Sequence, residues 1–266
     1  MSTSPTVNGD NKGRALIWAV SSLFIWRVLF LMPATILPSE WQIQAFIGGC
    51  IFATSVLFVT QRMLFTPTEE PTISDTSLSV VACALIMAAG VTIIAKDLGN
   101  MGLSLSGGTI KPIASAPVDV SPVVVACLSS VVYPIAYSLV LVGILARGLL
   151  KYLSQYPAIL VAIFITLIGA PFHAWPRLAA VTFLPLWLFY QTRSLSLASI
   201  CYLPATILPL LNALNIGPGI AGFDIEDPQR IILQPLWFNV IGLVLIVVGA
   251  TVMNHIRRPD LVGHEP

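Results

Sequence analysis

The stretch at residues 133–153, YPIAYSLVLVGILARGLLKYL, carries no charge until Arg147 and Lys151 near its end. Uncharged sequence continues backwards from it to Val120. A run of this length reads as a long apolar helix, since a membrane span needs roughly 20 predominantly apolar residues. Composition agrees on the solvent. Of 266 residues, 56% are hydrophobic and 9% charged, and mean hydropathy is +0.89. A soluble domain carries about 25% charged residues. The chain therefore reads as an all-α polytopic membrane protein whose first partner is the lipid bilayer.

Working outward, apolar runs suited to spans occupy 15–37, 42–64, 76–95, 120–150, 156–174, 177–191, 195–214 and 234–256. The expected organisation is a polar N-terminal tail (1–13), an eight-helix membrane domain (14–258) and a short C-terminal tail (259–266). The first run exceeds the roughly 7–15-residue core of a signal peptide, so it is expected to stay as a helix. Span 177–191 is short. At ~1.5 Å per residue it covers ~22 Å of a ~30 Å core, so the turn 191–195 is expected within the membrane.

With eight spans both termini share a side. That side collects Lys12, Arg14, Arg62, Arg147, Lys151, Arg193, Arg257 and Arg258, against Lys96, Lys111, Arg177 and Arg230 opposite. Positive charge marks the cytoplasmic face, so both termini are expected in the cytoplasm, at the plasma membrane if the source is bacterial. Arg27 falls inside the first span and is expected to snorkel or pair locally, the alternative being that it points into the bundle. The net charge of +1 gives no argument for a nucleic-acid partner. Cys50, Cys83, Cys127 and Cys201 lie in apolar runs without C-x-x-C spacing and read as small packing residues.

Two loops are long. Residues 96–119 are rich in Gly, Ser and Pro and are expected to be mobile or folded over the outer face. Their Gly107-Gly108 pair lacks the spacing of a phosphate loop. Residues 215–232 carry Asp224, Glu226 and Asp227. Carboxylates suit calcium, but a solvated loop is the simpler reading. The hexapeptide PATILP recurs at 33–38 and 204–209 and supplies helix-kinking prolines. Gly242 and Gly249 share one face of the last span, where small residues let helices approach. Trp175 and Trp237 sit near span ends, as interfacial anchors do.

Proton-transfer chemistry needs ionisable groups, and the expected spans contain no Asp or Glu. His173, in GAPFHAWP, is the histidine near the end of a span, while His255 and His264 belong to the C-terminal end. No carboxylate pair, HExxH or histidine cluster falls within the spans, so no metal or cofactor is expected.

Spans four to seven resemble the CAAX prenyl protease and bacteriocin-processing (CPBP, Abi-type) family of intramembrane endopeptidases, over residues 120–210. The family's first motif reads roughly P-x-A-E-E-x-x-x-R-G-x-L, and the matching stretch is PIAYSLVLVGIL. Pro134, Ala136, Gly143 and Leu145 keep the frame, while the two glutamates fall on Tyr137 and Ser138 and the arginine on Val142. The second motif, F-x-x-x-H, becomes GAPFH, with Gly169 for the phenylalanine and His173 retained. The third, T-G-S-L-x-x-x-x-x-x-H-x-x-x-N, becomes TRSLSLASICYLPAT. There Thr192, Ser194 and Leu195 are kept, Tyr202 replaces the histidine and Thr206 the asparagine.

The resemblance implies an eight-helix fold. In the family the glutamates activate water, and the histidines and asparagine support it and the oxyanion. A general base must accept a proton at working pH. Tyr137, Ser138 and Val142 offer none, and a phenol such as Tyr202 has an ordinary pKa near 10. The resemblance thus implies a pseudoenzyme without catalytic residues. It would bind or scaffold a membrane protein or a lipidated or hydrophobic peptide, in a cleft left partly open at the old site. Two alternatives stay open: an active CPBP-type endopeptidase with a divergent site, and an unrelated small-molecule carrier or channel.

Helical spacing adds geometric expectations. The pairs Ser138/Val142, Gly169/His173 and Tyr202/Thr206 are each four apart and are expected on one helix face. Ser138 and His173 are expected to face each other, ~22–24 Å above a turn at 153–157. Val140 is expected to face lipid.

Overall fold

A computed structural model describes residues 9–36, 42–64, 77–107, 131–214, 216–225 and 230–257. Among these the fold is helical, apart from one isolated bridge between Ala221 and Ile225. Nine helices follow in order: α1 (Gly9–Ile36), α2 (Gln42–Leu64), α3 (Leu78–Leu105), α4 (Val131–Leu150), α5 (Gln155–Leu167), α6 (Trp175–Thr192), α7 (Leu195–Ile200), α8 (Leu203–Ala213) and α9 (Leu236–Arg257). Most of the expected N-terminal tail, the C-terminal tail with Arg258 and His264, and Lys111, Cys127, Glu226 and Asp227 lie outside the described residues.

Each of the eight expected runs carries helix, but among the described residues five helices are long and apolar enough to cross a membrane: α1, α2, α3, α4 and α9. The other three runs fall short for local reasons. The run 156–174 stops being helical after Leu167, because Ile168 turns extended (ψ 128°) and Gly169 takes φ +82°. The run 195–214 is divided at Cys201 and Tyr202, which form a turn between α7 and α8. Helix α6 is diluted by Pro176, Arg177, Pro185 and Gln191.

Helix α3 departs from expectation the other way. It passes residue 95 and runs to Leu105, so the segment read as the start of a loop is helical. At ~1.5 Å per residue its 28 residues span ~42 Å, longer than a ~30 Å core. Close approach of α6 and its preceding turn requires the glycines here. A Cβ on Gly99 would lie 3.1 Å from the Arg177 side chain, and one on Gly102 would collide with the His173 carbonyl oxygen.

Helix α9 packs chiefly along α3. A Cβ on Gly90 would strike the Gly242 carbonyl oxygen, and one on Gly249 would lie 3.0 Å from the Cys83 carbonyl oxygen. Lipid tails are as apolar as leucine, so helices associate in a bilayer by close packing and polar contacts rather than by escape from water. The seam of Gly90, Gly242 and Gly249 supplies that packing. The largest core joins α1, α2, α4, α5 and α6 around Leu23, Trp26, Leu57, Leu141 and Leu186. A second joins α3, α6, α7 and α9 around Met87, Leu188 and Leu197. Helix α6 contributes to both.

Candidate functional site

The stretch 139–146 of α4 is a π-helix. π-helical segments are rare and occur mostly as single-turn bulges, often at functional sites. Here the wider turn replaces the four-residue return of an α-helix. Val140, Leu141, Val142, Leu145 and Ala146 are all buried, and Ser138 just before them is buried too. Val140 therefore does not face lipid as its sequence position suggests. The outward residues of α4 are Val131 and Ile135.

The motif-frame positions Tyr137, Ser138, Val142 and Tyr202 are at most 7% exposed. They form a filled core where an open cleft was expected. Aromatic rings do the filling. Trp26 and Phe30 of α1, Phe46 of α2, and Tyr133 and Tyr137 of α4 form a ring of aromatic contacts, some stacked and others edge-on or tilted. Tyr202 meets Tyr137 edge-on, with ring centroids 5.6 Å apart. Such pairs favour packing beyond their buried area. The Tyr137 hydroxyl lies beside the side chains of Thr166, Arg27 and Thr182. The Ser138 hydroxyl is 2.6 Å from that of Ser199 on α7 and donates to the Ile135 carbonyl.

Gly169 joins this core at one remove. Arg27 reaches from α1 to the end of α5, where it donates from Nη1 to the Ile168 carbonyl (2.5 Å) and from Nη2 to the Thr166 carbonyl (2.6 Å). The last carbonyls of a helix have no partner within it, and in lipid no water can replace one. Arg27 caps α5 in that role, and a Cβ on Gly169 would lie 3.7 Å from its Nη1. The arginine is locally paired rather than snorkelling.

His173 does not share a helix face with Gly169. The chain between them is a turn, and His173 sits in a short 3-10 segment, Phe172–Ala174, with its carbonyl against Gly102. The height expected for His173 beside Ser138 presumes a helix continuing to residue 173, whereas α5 ends at Leu167 after 13 residues. Thr206 donates back to the Tyr202 and Leu203 carbonyls within its own helical turn. The structure thus gathers Tyr137, Ser138, Val142 and Tyr202, links Gly169 through Arg27, and places the His173 carbonyl against α3. In the third motif, Ser194 caps α7 by accepting from the Leu197 amide, and Arg193 adopts φ 57°.

A second polar group fastens the chain between α8 and α9. Asp97 of α3 accepts from the Gln234 amide and the Asn239 side chain, each at 2.7 Å. Asn100 donates to the Gly222 and Ile232 carbonyls. Asp224, in the loop considered for calcium, is engaged by its own neighbours, accepting from the amides of Gly219 and Ile220. Among the described residues no group of three or more His, Cys, Asp or Glu could hold a metal. The sequence reading missed Ser199, Asn100 and the helical placement of Asp97, and Arg27 carried the one advance signal, a charge inside a span.

The helices and this aromatic–hydroxyl interior define a polytopic helical membrane protein. No family model, curated protein or solved structure matches the chain.

Proposed function

We propose that the protein is a non-catalytic membrane protein of CPBP-like plan. Its chain crosses the bilayer eight times with both termini in the cytoplasm, and it binds or scaffolds a membrane protein or a hydrophobic or lipidated peptide. The observation that carries this reading is the packed core at the motif frame: Tyr137, Ser138, Val142 and Tyr202 are buried against one another's helices without a carboxylate among them. Hydrolysis needs a base and room for water, and this core offers neither at those positions.

The backbone also favours the resemblance. Arg193 stands where the family's T-G-S-L motif has glycine, and it is the non-glycine residue with positive φ among those described. A left-handed position of that kind favours glycine. Partner binding then falls to the outer surface. Helix α9 is suited to it, since Trp237, Val240, Val244 and Val247 remain exposed.

The test is affinity purification in mild detergent, with assays on prenylated CAAX and leader peptides in parallel. A membrane protein retained at fixed stoichiometry by the wild type, and lost with Val244→Trp, is expected, without peptide cleavage. Turnover abolished by His173→Ala would overturn the pseudoenzyme reading.

A further inference from the structure

A groove of about 480 Å³ lies between α3, α6 and α9, closed on one side by Ile163 of α5. Its walls include Met87 and Ile94 of α3, Trp187 and Phe183 of α6, and Ile246 of α9, and no polar atom faces into it. Three small side chains, Ala179, Ala180 and Ala250, leave the hollow. We propose that this groove holds one acyl chain of a bilayer phospholipid as a resident lipid.

Depth is the first argument. Met87 and Ile94 lie nine and sixteen residues into α3, which at ~1.5 Å per residue is ~14 and ~24 Å from its start. Both fall inside a ~30 Å hydrocarbon layer. Water is a poor occupant there, because a buried water needs two to four polar partners. Continuity is the second argument. Phe183 lines the groove and is 47% exposed, and α9 beside it presents Leu243 and Val248 outward. The groove therefore opens onto the lipid-facing surface, where acyl chains are the surrounding solvent. Size is the third. A hollow of about 480 Å³ with apolar walls has room for a stretch of acyl chain. A chain seated there would bridge α6 and α9, which are joined chiefly through α3.

Trp187 supplies the test. Phospholipid with brominated acyl chains is titrated into mixed micelles of the full protein, and the Trp187 signal is read as the difference between wild type and Trp187→Phe. Saturable quenching at low mole fraction is expected, and its loss when Ala180→Leu or Ala250→Leu fills the groove. Thermal unfolding checks that each variant folds, and either one alone suffices. Quenching that rises only linearly with mole fraction, unchanged by both substitutions, would overturn the proposal. So would a wild-type dimer that Ala250→Leu converts to monomer, because a second copy would then occupy the groove.

Discussion

Ser138→Glu places a carboxyl where the CPBP motif, aligned on Pro134 and Gly143, would have its second glutamate, and its cost distinguishes a filled core from a wet cleft. Ser138 is fully buried, hydrogen-bonded to Ser199 at 2.6 Å and to the Ile135 carbonyl. The longer side chain overfills the core, which costs about 1–3 kcal/mol. It also breaks the Ser138–Ser199 pair and buries a carboxyl in its place, and a buried polar group left unsatisfied costs about 1–3 kcal/mol more. The new acid remains neutral and so escapes the greater penalty of a charge buried without a partner. The sum is about 2–6 kcal/mol. Ser138→Ala isolates the hydrogen-bond part and should cost about 1 kcal/mol. Ile135→Glu is the lipid-facing control, since Ile135 is 48% exposed on the same helix; it should cost at most about 2.5–3.5 kcal/mol. The assay is thermal unfolding of the four proteins in one mild detergent. At about 2–4 °C per kcal/mol for chains of this size, Ser138→Glu should lower the midpoint by roughly 10 °C and Ser138→Ala by roughly 3 °C. A glutamate variant as stable as the alanine variant would mean that water reaches residue 138, and would refute the filled core.

Other outcomes follow from the same contacts. Arg27→Leu strips the Thr166 and Ile168 carbonyls of their donors and should destabilise by about 1–3 kcal/mol, with faster amide exchange in the last turn of α5 and partial rescue by Arg27→Lys. Gly90→Leu forces α3 from α9 at the Gly242 carbonyl and should cost more than Gly48→Leu, where the space is open; equal unfolding midpoints would contradict the seam. Reporter fusions after residues 12 and 258, and within 65–75, should all read as cytoplasmic, and termini on opposite sides would remove the eight-span plan.

Some of this is legible in the sequence. Gly242 and Gly249 can be read because a seven-residue spacing stays on one face of a regular helix, and both meet α3 as small interface residues should. Their counterpart Gly90 carries no such signal, since its role exists only where two helices cross. Hydropathy locates the five long spans but misplaces the end of α3. Lys96 and Asp97 look like a loop until Gln234 and Asn239, well over a hundred residues away, supply partners for the carboxylate. The facing of Val140 escapes the spacing rule because that rule assumes an α-helix, and residues 139–146 are π-helical. The Gly169/His173 pairing fails for the related reason that a turn lies between them.

The commitments of the polar side chains bear on function more than their identities do. A group that does chemistry must be able to exchange a proton or bond with a substrate. Arg27 is engaged by the end of α5, Asp97 and Asn100 by the segment leading into α9, and Asp224 by its own loop. Thr92, Thr166, Thr192 and Thr206 donate back to their own helices. In a medium without water these bonds are the condition for placing polar groups at all. The buried Tyr202 hydroxyl has no hydrogen-bond partner among the described residues, but an un-ionised phenol is a poor base at neutral pH. Arg27, Asp97, Asn100 and these threonines are therefore committed to holding the fold rather than left free for a substrate.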